Sequence, residues 1–76
     1  MQLLTETTAP DFAAFKSDFD QDTEARMHAG LTLLQMWRSA DDASTVLCLF
    51  EVNDRARAQN WLATARDMTG RFLKTA

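Results

Sequence analysis

The chain has a single cysteine in 76 residues, so it can form neither an internal disulfide nor a cysteine-based zinc site. A lone thiol suits a reducing compartment, and the cytoplasm is the expected location. Positive charge is sparse and scattered: eight Lys and Arg stand among eleven Asp and Glu, for a net charge of -3. No basic stripe forms, so binding to a DNA or RNA backbone, which needs clustered positive charge, is not expected. Long apolar runs are missing too. No segment approaches roughly 18 consecutive apolar residues, and MQLLTETTAP at the start has neither a basic region nor an apolar stretch of signal length. No membrane association is expected. There are no repeats and no low-complexity runs. Proline occurs once and glycine twice, so Pro10, Gly30 and Gly70 are informative as helix boundaries.

What is present is ordinary for a globular chain, at 46% hydrophobic and 25% charged. The length allows one domain, residues 1–76, near the lower limit for a self-sufficient core. The organising stretch is Leu31 to Val52, LTLLQMWRSADDASTVLCLFEV. β-Branched and aromatic residues flank a polar, Asx-rich connection at Ala40–Ser44, which predicts a hairpin. By strict alternation, Leu31, Leu33, Gln35 and Trp37 share one face; Thr32, Leu34, Met36 and Arg38 share the other. The second strand splits into Val46, Cys48, Phe50 and Val52 against Thr45, Leu47, Leu49 and Glu51. Both faces therefore carry large aliphatic residues. Exposing Leu34, Met36, Leu47 and Leu49 would forfeit about 6–12 kcal/mol, comparable to the stability of a small domain. The second face should be covered, and a second copy of the chain is the simplest cover.

In chain order, residues 2–7 predict a short strand. Thr8 is the expected N-cap of a first helix, with Pro10 in its first turn and Asp11 closing a T-x-x-D box. Phe12, Phe15 and Phe19 form one helical stripe. A second helical portion is expected from Asp22 to Ala29, with Asp22 and Arg26 paired at i, i+4 and Gly30 as its stop. After the hairpin, Asn53-Asp54 caps another helix whose buried stripe is Ala58, Trp61, Leu62, Ala65 and Met68. Gly70 is expected to end it, leaving residues 71–75 as a last strand. The order β-α-β-β-α-β, with right-handed crossovers, predicts an α+β ferredoxin-like domain: a four-stranded antiparallel sheet with helices on one face.

The segments DFAAFKSDFDQDTEARMHAGL, with its Arg-x-x-x-Gly helix end, QMWRSADDASTVLCLFEVND and RARAQNWLATA resemble the dimeric α+β-barrel superfamily. That superfamily includes antibiotic-biosynthesis-monooxygenase-like proteins and many small uncharacterised bacterial proteins. The resemblance covers roughly residues 8–68. It implies two ferredoxin-like subunits packed sheet to sheet as a homodimer, each with a pocket between sheet and helices. The Asn/Trp/His set of the haem-degrading branch finds no match; the only histidine is His28, at a helix end. No cofactor is expected.

For chemistry, Asp18, Asp20 and Asp22 mimic the start of a calcium loop, but Thr23 stands where glycine is required and Ala29 where a bidentate Glu is required. No metal site is expected. Cys48, on an apolar strand face, reads as a small core hydrophobe. Arg38 and Glu51 are expected to pair across the hairpin, the alternative being contact with an anionic ligand. The candidate ligand-binding residues are His28, Trp37, Arg38 and Trp61: two aromatics to line an apolar cavity and two polar groups to face it. The expected function is a small dimeric protein binding an apolar small molecule. The alternatives are a cofactor-independent monooxygenase- or cyclase-like enzyme and a protein-interaction module.

Overall fold

The computed structural model describes residues 1–76. Its elements are β1 (Gln2–Thr8), α1 (Phe12–Gln21), α2 (Thr23–His28), β2 (Leu31–Arg38), β3 (Thr45–Val52), α3 (Arg55–Thr64) and β4 (Met68–Leu73). The strands form one antiparallel sheet in the order β2-β3-β1-β4. With one crossover made by α1 and α2 and the other by α3, this is the ferredoxin-like arrangement. β3 shows why the sheet has an inside: Val46, Cys48, Phe50 and Val52 are buried, while Thr45, Leu47, Leu49 and Glu51 between them are half-buried. Leu3, Leu31, Ala9, Ala29 and Ala58 complete the buried apolar core.

The first helix starts later than the T-x-x-D pattern predicts. Thr8 is the last residue of β1, and its amide donates to the Asp67 carbonyl at 3.2 Å; the Ala9 amide donates to the Ser44 carbonyl at 2.6 Å. These two bonds hold residues 8 and 9 to the sheet end, so capping passes to Asp11, whose carboxylate accepts from the Ala14 amide at 3.1 Å. The expected cap at Asp54 is formed, accepting from Arg57 at 3.1 Å. Gly30 does stop α2, with φ +72, and its carbonyl accepts from the Asn53 amide at 2.8 Å. A side chain there would be strained, and its Cβ would stand 3.1 Å from the Asp54 backbone nitrogen.

Three further expectations need correction. α3 ends at Thr64, Met68 opens β4, and Gly70 lies within that strand instead of ending the helix. Its hydrogen is where Leu62 descends onto the sheet: a Cβ would meet Leu62 Cδ2 at 2.6 Å. The strict alternation of β2 also fails. Pairing runs Leu33↔Phe50, then Gln35↔Leu49 and Met36↔Cys48, so Leu34 is the extra residue of a bulge. Beyond it the faces exchange: Met36 turns to the helices, and Trp37 joins Leu47 on the open face. Finally, Arg38 lies opposite Val46 and Glu51 opposite Thr32, so the register keeps them apart. Arg38 instead donates to the Ala43 carbonyl at 3.2 and 3.3 Å, and Glu51 accepts from Gln2 at 2.9 Å.

The hairpin loop is organised by Asp42. Its carboxylate accepts from the Ser44 hydroxyl at 2.6 Å, the Ser44 amide at 3.0 Å and the Thr45 hydroxyl at 2.9 Å. The Ser44 bonds chiefly, then Thr45, hold its pKa below the ordinary value of 3.8. A carboxylate depressed in the folded state contributes stability above its unfolded pKa and loses it as pH falls through the folded one. Asp42→Asn is therefore expected to be less stable than the parent at neutral pH, with the two unfolding curves converging in acid below pH 3.8. Urea titrations at a series of pH values read this directly; a gap that stays constant into acid would contradict it.

Candidate functional site

The helix side of the sheet is incompletely filled. α1 buries no residue completely, because its phenylalanine stripe lies against a groove as well as against the sheet. The rings form a file. Phe12 stacks on Phe15 at 6.1 Å, Phe15 on Phe19 at 5.7 Å and Phe19 on Phe50 at 6.4 Å, and Phe50 meets Trp61 edge-on at 5.9 Å. Spacing of three and four residues on α1 produces the first part of the file. The sheet supplies Phe50 and α3 supplies Trp61.

Alongside this file runs a groove of about 440 Å³, between α1 and the segment from Trp61 to Met68, above the end of β1. Phe15, Phe19, Trp61 and Met68 give it apolar walls; Arg26 and Arg66 supply positive charge, and Asp11, Asp18 and Asp22 negative charge. Its size falls in the range of small-molecule sites, and its aromatic lining with a few convergent polar groups fits their usual make-up.

Arg26 is the unusual member. It is only 7% exposed. Its guanidinium lies 3.5 Å from the centre of the Phe19 ring, donates to the Phe19 carbonyl at 2.6 Å and to the Thr23 hydroxyl at 3.2 Å. The expected ion pair with Asp22 is not made: no carboxylate comes within 4.0 Å of it. Asp22 serves instead as the corner between α1 and α2, its amide donating back to Asp18 and Phe19. Burial pushes the Arg26 pKa down, opposed chiefly by nearby Asp22. An arginine pKa has far to fall before neutral pH, so the group stays charged.

The four residues expected from sequence are dispersed. Trp61 alone lines the groove. Trp37 is 45% exposed on the opposite side of the sheet. Arg38 lies over the Phe12 ring at 4.7 Å, at the outer end of the aromatic file. His28 stands in solvent in the last turn of α2, 3.7 Å from Glu24. Cys48 is buried opposite Thr5. Burial raises its thiol pKa, against a smaller opposing effect from the Thr5 hydroxyl, which makes no well-formed hydrogen bond of its own. Lys16 clamps Asp20 at 2.6 Å, and no three acidic, histidine or cysteine side chains converge as a metal site would require.

Sequence reasoning missed Arg26, Phe15, Phe19 and Arg66 as groove residues. For Arg26 a signal exists. It falls seven residues after Phe19, the spacing that one unbroken helix would place on the stripe of Phe12, Phe15 and Phe19, although the chain turns at Asp22 between them. No helix of the protein is long and apolar enough to cross a membrane. Compared with known proteins, the chain matches no family model, no curated protein and no solved structure.

Proposed function

We propose that this protein is a homodimeric binding protein of the dimeric α+β-barrel type that holds a small, mainly apolar molecule in each subunit. The observation that carries the binding half is the 440 Å³ groove walled by Phe15, Phe19, Trp61 and Met68. Aromatic walls left half-covered in so small a core forfeit burial that a flat apolar ligand would supply. Binding is favoured over catalysis because the two polar groups expected to act on a substrate, His28 and Arg38, both lie outside the groove.

The dimer half rests on the other side of the sheet. Residues paired across the strands share a face, which places Leu4, Leu47, Leu49 and Trp37 together there. No helix of the chain covers them, since all the helices pack on the side of Phe50 and Val46. Their partial exposure is the physical reason for a second copy.

A neutral bicyclic probe tests the groove. On titration with 2-naphthamide, amide-resolved NMR is expected to show saturable shifts centred on Phe15, Phe19, Trp61 and Met68. The expected dissociation constant is on the order of 0.1 mM, as for an unoptimised fragment. Shifts that never saturate, or that centre on Leu4, Leu47 and Leu49, would overturn the groove as the binding site.

A further inference from the structure

Arg26 is the one buried charge of the protein, and its surroundings do not complete it. A guanidinium presents five N–H donors. The Phe19 carbonyl and the Thr23 hydroxyl take two, and three have no acceptor from the chain. Arg26 lines the groove described above, beside Phe19 and Asp22. Removing a cation from water without an opposing carboxylate is costly. The Phe19 ring and two hydrogen bonds offset only part of that cost.

We infer that the molecule held in the groove is a monocarboxylate with a flat apolar body, its carboxylate accepting from the free N–H groups of Arg26. This rests on the groove being the ligand site. A planar carboxylate matches the fork of a guanidinium, and charge-assisted bonds of this kind are among the stronger ones. A single negative charge fits better than the double charge of a phosphate, because Asp11, Asp18 and Asp22 line the same groove. All three are exposed and screened by water and salt, and Asp11 is already engaged as the α1 cap. Asp22, close to Arg26, caps the number of charges the site tolerates. The apolar body then lies along Phe15 and Phe19 toward Trp61.

A matched pair of probes reads the head group separately from the groove. At pH 7, calorimetry is expected to show 2-naphthoate binding the full chain about tenfold or more tightly than 2-naphthamide, the ratio shrinking as salt rises. Arg26→Met, which keeps a long side chain beside Phe19, is expected to bring the two compounds within about twofold while amide binding persists. Arg66→Ala, at the exposed rim, is expected to preserve the preference. Circular dichroism confirms that each variant is folded, and the comparison on the parent chain needs no variant. Equal affinity for the two probes, tighter amide binding, or a preference that survives Arg26→Met overturns the inference and leaves the groove standing. Binding of neither probe overturns both.

Discussion

Phe50→Ala is expected to bring this protein to the edge of unfolding. Phe50 is completely buried on the inner strand β3, between Phe19 of α1 and Trp61 of α3. It is the one ring that touches both helical crossovers. Removing a buried phenylalanine side chain costs about 3–5 kcal/mol, made of lost transfer energy and an unfilled cavity. Domains are stable by roughly 0.05–0.15 kcal/mol per residue, which for this length is about 4–11 kcal/mol. So few residues are fully buried that the neighbours have little rigid packing with which to share the loss. Urea unfolding at fixed protein concentration is the measurement, with Phe50→Leu as the control that keeps most of the volume and should cost much less. A loss below about 1 kcal/mol for the alanine variant would show that the helices do not lean on this ring.

Leu49→Asp is expected to turn the proposed dimer into a monomer without unfolding the subunit. Leu49 lies on β3, with Leu4 opposite it on β1 and Gln35 opposite it on β2, at the middle of the open sheet face. In a two-fold dimer packed through that face the substitution enters twice, once from each copy. Burying two unpaired carboxylates there costs several kcal/mol, enough to weaken association on the order of a thousandfold. In the isolated subunit the same carboxylate faces water, so the fold is expected to survive. Light scattering on a sizing column, over a dilution series, should give twice the 8.6 kDa chain mass for the parent and the single mass for the variant. A parent that is monomeric at every concentration, or a variant that stays dimeric, would sink the sheet-to-sheet assembly. In the first case Leu4, Trp37, Leu47 and Leu49 would be a surface for a different protein.

Much of the architecture could be read in the sequence, and the reasons are local. Phe12, Phe15 and Phe19 repeat with the helical period, and β3 repeats with the period of two. Gly30 occupies a corner with a positive φ, and Asp54 is a good N-cap where one is needed. The candidate site was much less legible. Of His28, Trp37, Arg38 and Trp61, read as two aromatics to line an apolar cavity and two polar groups to face it, the groove gathers only Trp61. Trp37 was placed on the wrong side by a bulge at Leu34 that leaves no mark in the composition of β2. The end of α3 was missed because Gly70 looks like a helix stop from its neighbours, whereas its reason is Leu62, eight residues earlier and folded back above it.

The sequence by itself determined the order of elements and, through the handedness of crossovers, the ferredoxin-like sheet with its helices on one side. Periodicity and caps are properties of neighbouring residues, so they survive without knowledge of the fold. Only the tertiary structure decided which face Met36 and Trp37 take, why Gly70 has no side chain, and that Arg26 lies buried on Phe19 with donors to spare. Each of those depends on a contact between different elements: a strand register, a leucine of α3 over β4, or a ring of α1 under a side chain of α2.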